Sequence, residues 1–238
     1  MKYENKLTYL VYGRRALFSD PVTRVGGEKM SYFVPTYQAL KGITESIYWK
    51  PSFIWRVLRV RVMNKIATES SGIRPIKMDK NANDLSYYTY LRDVVYQVEV
   101  TFDWNENRPD LRGDWNEDKH FQIAKRSIEK GGRRDIFLGT RECQGYVEPC
   151  AFGQGKSAYD DYGELSLGMQ FHSFIYPDEA CDDQSYGKLS VGFWKPVMVN
   201  GVIEFPVPKD AEYRRIIHEM SEKDFVPGEN FSFAGGVE

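Results

Sequence analysis

Two adjacent residues, Lys119 and His120, join a fixed positive charge to an imidazole, and His120 is one of only three histidines among 238 residues. Asn116 suits a helix N-cap, so the spacing predicts that Lys119 and His120 stand in a first helical turn. A helix start offers unpaired N–H groups and the positive end of the dipole, which attract phosphate. The dipole and Lys119 both disfavour imidazolium, leaving a neutral ring suited to general-base work. Lys119 in turn suits the negative charge of a phosphorane. The same helix is expected to close at Lys130-Gly-Gly-Arg133-Arg134. There Gly131 and Gly132 permit close backbone approach, and Arg133 and Arg134 supply cations for a nucleic-acid backbone. Upstream, Tyr48-Trp49-Lys50-Pro51 sets aromatics beside a cation at the end of another helix. The bland alternative is a solvent-exposed Lys-His pair, a glycine cap and a packed Tyr48. Spacing alone leaves both open.

The elements that must position these residues alternate in type. Leu7 to Tyr12 reads as a strand ending at Gly13, and 13–33 as loop. Thr36 caps a helix with Ala39, Leu40, Ile43 and Ile47 on one face, which Pro51 stops after Lys50. Trp55 to Val62 is a strand carrying Arg56, Arg59 and Arg61. Residues 65–92 form a polar, hairpin-like insertion, and Val94 to Phe102 alternates clearly as a strand. Asn116 then opens a helix with Phe121, Ala124 and Ile128 on one face, followed by a short strand at Ile136 to Leu138. In a split βαβ order of this kind both helices cover one sheet face, so the end of the first can approach the start of the second. That makes Tyr48 a third candidate beside Lys119 and His120. The expected class is α+β: a ferredoxin-like, RRM-like N-terminal domain over 1–150, then a small antiparallel β domain over 151–238. In the latter, Leu165, Leu167, Met169 and Phe171 alternate through one strand, and Asn200-Gly201 marks a type I′ hairpin. His172 reads as structural, and His218 as part of a surface helix.

Net charge is −2, but it is blocked: +7 over 1–62, −4 over 63–118, +5 over 119–141 and −10 over 142–238. Two basic blocks allow a local basic face despite the acidic total, although surface charge also clusters without purpose. Hydrophobic residues make up 42%, enough for a sizeable core, and mean hydropathy is −0.53. No apolar run approaches the ~18 residues of a membrane span, and the N-terminus lacks a secretory pattern. Three cysteines suit a reducing, cytoplasmic compartment rather than a disulfide scaffold.

Other chemistries fall away. Gly153-Gln-Gly155-Lys156-Ser157 ends like a phosphate-binding loop, but Cys150 stands where that motif needs glycine. Cys143 and Cys150 lack zinc-ligand spacing. Asp160-Asp161 and Asp182-Asp183 read as solvated acids, so no metal and no cofactor is expected. The alternating glycine–aromatic signature of RNA-binding sheets is absent.

The strings Tyr12-Gly-Arg-Arg-Ala-Leu-Phe18, Val34-Pro-Thr-Tyr-Gln-Ala-Leu-Lys-Gly-Ile43, Ser46-Ile-Tyr-Trp-Lys-Pro51, Lys119-His120 and Gly131-Gly-Arg-Arg-Asp-Ile-Phe-Leu-Gly-Thr-Arg-Glu-Cys143 resemble the CRISPR-associated Cas-five family, specifically its subtype I-C branch that processes precursor crRNA. Met169-Gln-Phe-His-Ser-Phe174 and the Asn200-Gly201 hairpin fit the same resemblance. The resemblance implies a metal-independent endoribonuclease that cuts each repeat transcript near its hairpin base. It also implies a protein that stays with the crRNA among the other subunits of the type I-C interference complex. The catalytic Tyr, Lys and His it implies fall on Tyr48, Lys119 and His120. RNA contacts are then expected at Lys50, Gly131, Gly132, Arg133 and Arg134, with DNA contact left open. The expected chemistry is in-line attack by a 2′-OH, giving 2′,3′-cyclic phosphate and 5′-OH ends. His120 or Tyr48 moves the proton, and Lys119 steadies the oxyanion. The rival expectation is a non-catalytic scaffold that holds the crRNA 5′ end.

Overall fold

The computed structural model describes residues 5–77, 82–183 and 185–220. In chain order the elements are β1 (Leu7–Ala16), α1 (Pro21–Arg24), α2 (Tyr37–Ile47), β2 (Phe53–Val62), β3 (Thr68–Ile73), β4 (Ile76–Lys77), β5 (Ala82–Asn83) and β6 (Ser86–Trp104). They continue as α3 (Glu117–Glu129), β7 (Ile136–Phe137), β8 (Gln144–Pro149), β9 (Glu164–Ser166), β10 (Gln170–Ile175), β11 (Lys188–Trp194), β12 (Val197–Val199), β13 (Val202–Glu204) and β14 (Tyr213–Glu219). The class is α+β, with antiparallel sheets and few helices.

The main sheet runs β7-β8-β1-β6-β2-β13-β12-β9, with β3 also paired to β6. β6 is long because it serves two partners. Its first part pairs with β3, from Thr68 opposite Leu91 to Ile73 opposite Ser86. Its second part lies between β1 and β2. The two parts meet at Asp93, whose φ of 51° bends the strand, and Asn64 holds the Asp93 carbonyl at 2.7 Å. β3 and the first part of β6 therefore form an antiparallel pair that extends from the sheet.

α2 and α3 cover one face. Thr36 accepts from the Ala39 N–H and Asn116 from the Lys119 N–H, so both expected caps form. Leu40, Ile43 and Ile47 of α2 and Ala124 and Ile128 of α3 are buried against Tyr9, Val11, Val98 and Val100 of the sheet. Tyr9 also donates to or accepts from Thr44 at 2.8 Å, which fixes α2 to β1. Gly131 and Gly132, at φ 79° and 103°, close α3, and their N–H groups return to the carbonyls of Ile128 and Ser127. Only glycine enters that region without strain.

Several expectations change. β1 continues past Gly13 to Ala16, and a short helix capped by Asp20 interrupts the expected loop. α2 ends at Ile47 rather than Lys50, and Tyr48 is already extended at φ −159°. β1 pairs with β6 on one side and β8 on the other, and the expected strand at Ile136–Leu138 is β7, Ile136–Phe137, folded back on β8. The alternation from Leu165 to Phe171 is broken at Gly168, φ 71°, so β9 joins the main sheet and β10 a second one. His218 lies in β14, a strand paired with β11, not in a helix. Three strands from beyond residue 150 extend the main sheet through β13 on β2. The second sheet, β10-β11-β14, docks on α2 through His172 and Tyr37 and through the Lys41–Glu179 ion pair. The hairpin turn has Asn200 and Gly201 at φ 47° and 81°, the two left-handed residues a type I′ turn requires.

Candidate active site

Tyr48 reaches its place because α2 stops early. Pro51 disfavours a helical Lys50, and the chain is already extended at Tyr48. Its N–H bonds the Thr44 carbonyl at 3.0 Å, and its carbonyl accepts from Trp55 Nε1 at 2.7 Å. The ring is thereby aimed at the start of α3.

Its hydroxyl lies 2.7 Å from His120 Nδ1. The other ring nitrogen, Nε2, lies 2.8 Å from the Asp114 carbonyl and 3.2 Å from the Asp114 carboxylate. A carbonyl only accepts, so in the neutral ring Nε2 carries the hydrogen and Nδ1 accepts from Tyr48. Phe53, Phe102 and Trp104 pack around the imidazole at centroid distances of 5.1, 6.5 and 5.8 Å. His120 is 0% exposed and Tyr48 1%. A solvent-exposed Lys-His pair is thus half wrong, since Lys119 alone faces water.

Asp114 ties the group together. Its carboxylate is salt-bridged to Lys119, accepts from Ser52 Oγ at 2.8 Å and faces His120. The Lys119 hydrogen bond, first, and then that of Ser52 hold its carboxyl below the usual range, against the opposing effect of desolvation. Asp114 adds a negative influence on His120 beside the positive ones that the sequence displays. Its position two residues before the Asn116 cap was the available signal. Burial raises the Tyr48 phenol above its ordinary value, Arg133 pulls it back, and Asp114 pushes it up again.

Arg133 Cζ lies 4.8 Å over the Tyr48 ring. The N–H groups of Arg133 and Arg134 donate to the Ile47 and Ser46 carbonyls at 3.2 and 3.1 Å, so the glycine turn after α3 is stitched to the end of α2. Both arginine side chains and Lys50 are exposed. Gly131, Gly132, Arg133 and Arg134 line a groove of about 680 Å³ that continues to β8.

The motifs set aside earlier have partners of their own. Buried Arg61 donates to the carbonyls of Gln154 and Gly155 at 3.4 and 3.1 Å, and Gln97 holds the same loop through the Gln154 carbonyl at 2.6 Å. The loop turns carbonyls toward Arg61, the reverse of a phosphate cradle. Asp160 pairs with Arg61, and Asp182 with Arg214.

Comparison with known proteins gives these residues a context. The model of the family described as CRISPR-associated protein (Cas_Cas5) matches residues 7–206. The chain belongs to this Cas5 family. A "CRISPR pre-crRNA endoribonuclease Cas5d" of Mannheimia succiniciproducens is 28% identical over 89% of this chain and 99% of that protein. One of the same name from Thermus thermophilus is 30% identical over 60% of this chain and 64% of its own length. Among solved structures, a CRISPR-associated protein is 41% identical with TM-score 0.74, covering 88% of this Cas5 chain and 96% of that one. A protein of Streptococcus mutans described as functionally uncharacterized is 42% identical with TM-score 0.72 over the same shares.

Proposed function

We infer that this Cas5 chain is a CRISPR pre-crRNA endoribonuclease and that Tyr48, Lys119 and His120 do its chemistry. The observation that carries the site is the contact between the Tyr48 hydroxyl and His120 Nδ1, backed by a carboxylate on the far ring nitrogen. A hydroxyl on an imidazole that a third group orients is an arrangement suited to proton relay. Because burial raises the Tyr48 phenol, a standing tyrosinate is not the base. Tyr48 instead takes the 2′-OH proton while passing its own to His120, whose imidazolium Asp114 then faces. The oxygen attacks the adjacent phosphorus in line, the P–O5′ bond breaks, and the 5′-oxygen regains a proton from the same relay. Lys119, half exposed, turns its ammonium to the phosphorane oxygens. The products are a 2′,3′-cyclic phosphate and a 5′-OH, and no metal takes part.

The ferredoxin-like, RRM-like reading of the N-terminal part is supported by the antiparallel order β8-β1-β6-β2 beneath α2 and α3. Membership of the type I-C interference complex and a cytoplasmic location belong to the same reading. No helix of the described residues is long and apolar enough to cross a membrane. One observation favours the rival scaffold reading: Tyr48 and His120 are closed to solvent, so RNA must open the site before it can react.

Cleavage of a synthetic repeat RNA in EDTA separates the two readings. The expected result is a single cut with a cyclic-phosphate end, abolished by 2′-deoxy substitution at the scissile nucleotide. Tight binding without any cut would make the protein a scaffold, and cutting of the 2′-deoxy RNA would remove the proposed mechanism.

A further inference from the structure

The groove that starts at Arg133 does not end in cations. Its far wall is Tyr146, 53% exposed, which stands directly opposite Tyr12 in the β1–β8 register. The two rings are 5.7 Å apart and tilted by 33°. Tyr12 donates to Glu148 at 2.6 Å, and that hydrogen bond is the main influence raising its phenol above the ordinary value. Tyr12 is therefore fixed, Tyr146 leans on it, and the outer face of Tyr146 is open. An aromatic ring held rigid on a strand with one free face loses little conformational entropy on contact.

We propose that Tyr146 is a stacking platform for one unpaired nucleobase of the substrate strand. The proposal rests on the endoribonuclease reading and adds a subsite to it. Three features point to a base rather than a phosphate here. Every nucleobase has a π face, and stacking on aromatics is how proteins hold unpaired bases. Glu148 beside the ring repels phosphate. Arg133 and Arg134, nearer Tyr48, are placed for the backbone that enters ahead of the base. A groove of about 680 Å³ has room for a nucleotide. Tyr12 follows buried Val11 on β1, so both tyrosines lie on the sheet face away from α2 and α3, and Arg133, which lines the groove and also covers the Tyr48 ring, is the residue shared by the groove and the candidate site.

The test is Tyr146→Ala and Tyr146→Phe with repeat RNAs carrying single abasic sites scanned across the whole repeat. Tyr146→Ala is expected to raise KM by about 5- to 150-fold, the ~1–3 kcal/mol of a base–aromatic stack, with kcat little changed. Tyr146→Phe keeps the ring and stays near wild type. One abasic position reproduces the loss in wild type, and on that RNA Tyr146→Ala adds nothing further. Unchanged KM in Tyr146→Ala, or losses that add on every abasic RNA, overturns the subsite while wild-type cleavage continues. Failure of wild type to cut intact RNA is a different result and defeats the endoribonuclease reading itself.

Discussion

Helix α2 carries a tyrosine at each end, and each meets a fully buried histidine. At its start, Tyr37 stacks on His172 at 4.6 Å, with Trp194 edge-on at 5.4 Å. At its end, Tyr48 bonds His120 through the hydroxyl. Burial is the same, 0% for both rings, and the surroundings differ. His172 lies among aromatics, with Ser173 Oγ at 2.8 Å from Nδ1, and burial pushes it down to about 4. His120 has a phenol on one nitrogen, a carbonyl and a carboxylate on the other, and two exposed cations within the same cluster. Burial alone therefore does not mark a functional histidine. What sets His120 apart is a hydroxyl on one ring nitrogen and a carboxylate facing the other, the contacts on which the proposed proton path rests.

The comparison breaks most sharply at His120. His120→Ala is expected to cut cleavage by about 10²–10⁴-fold, the usual worth of acid–base action, while RNA affinity holds. Tyr48→Phe removes one oxygen and leaves the packing, so it checks that a fall in rate is not misfolding. A parallel loss of affinity in both variants would make the pair structural, like its counterpart at the other end of α2.

His172→Ala is expected to do the opposite. Emptying a packed ring site costs about 3 kcal/mol of stability, read by urea denaturation, and leaves the cleavage rate per folded molecule unaltered. A rate loss without a stability loss would show that the second sheet communicates with the site through α2.

This contrast was partly legible in the residues. Thr36, Asn116 and the glycine pair announce both helices, because caps are local chemistry. Lys119-His120 announces itself for the same reason. Asp114 does not, since its link to Ser52 joins residues 62 positions apart. The strands beyond residue 150 were hardest to place. Leu165 to Phe171 keeps its alternation straight through Gly168, and only tertiary pairing reveals that the chain changes sheets there. In β14 His218 lies among Arg214, Arg215 and Glu219 with exposed Ile216 and Ile217 between, a charged pattern without a strand period that suits a surface helix as well. Tyr146, the platform, gave no signal at all, because its register with Tyr12 spans most of the chain.

The pH response sharpens the difference further. Unfolded His172 titrates near 6.5 and folded His172 near 4. Between those values the unfolded chain binds a proton that the folded chain does not, so stability rises with pH across the window. The contribution is complete above 6.5 and lost as pH falls toward 4, amounting to about 3 kcal/mol at 1.36 kcal/mol per pH unit. His172→Phe fills the site without titrating, so its stability should be flatter over that window. Equal slopes would mean that another group carries the acid sensitivity.

The smallest effect concerns the residue that only the His120 side possesses. Asp114→Asn keeps the shape, the backbone carbonyl to Nε2 and an acceptor for Ser52, but removes the negative charge. Lys119 then loses its counter-charge. A partly exposed ion pair is worth ~0.2–1 kcal/mol, so RNA should bind about 1.5- to 5-fold more tightly and with a steeper salt dependence. The imidazolium formed during reaction loses its facing carboxylate, and a pair of that ~0.2–1 kcal/mol kind is worth about 1.5- to 5-fold in kcat. Affinity and rate therefore move in opposite directions, which no purely structural role of Asp114 would produce. Single-turnover cleavage and filter binding on the same preparation read both. If both fall together, Asp114 merely holds the turn before α3, and the proton path ends at His120.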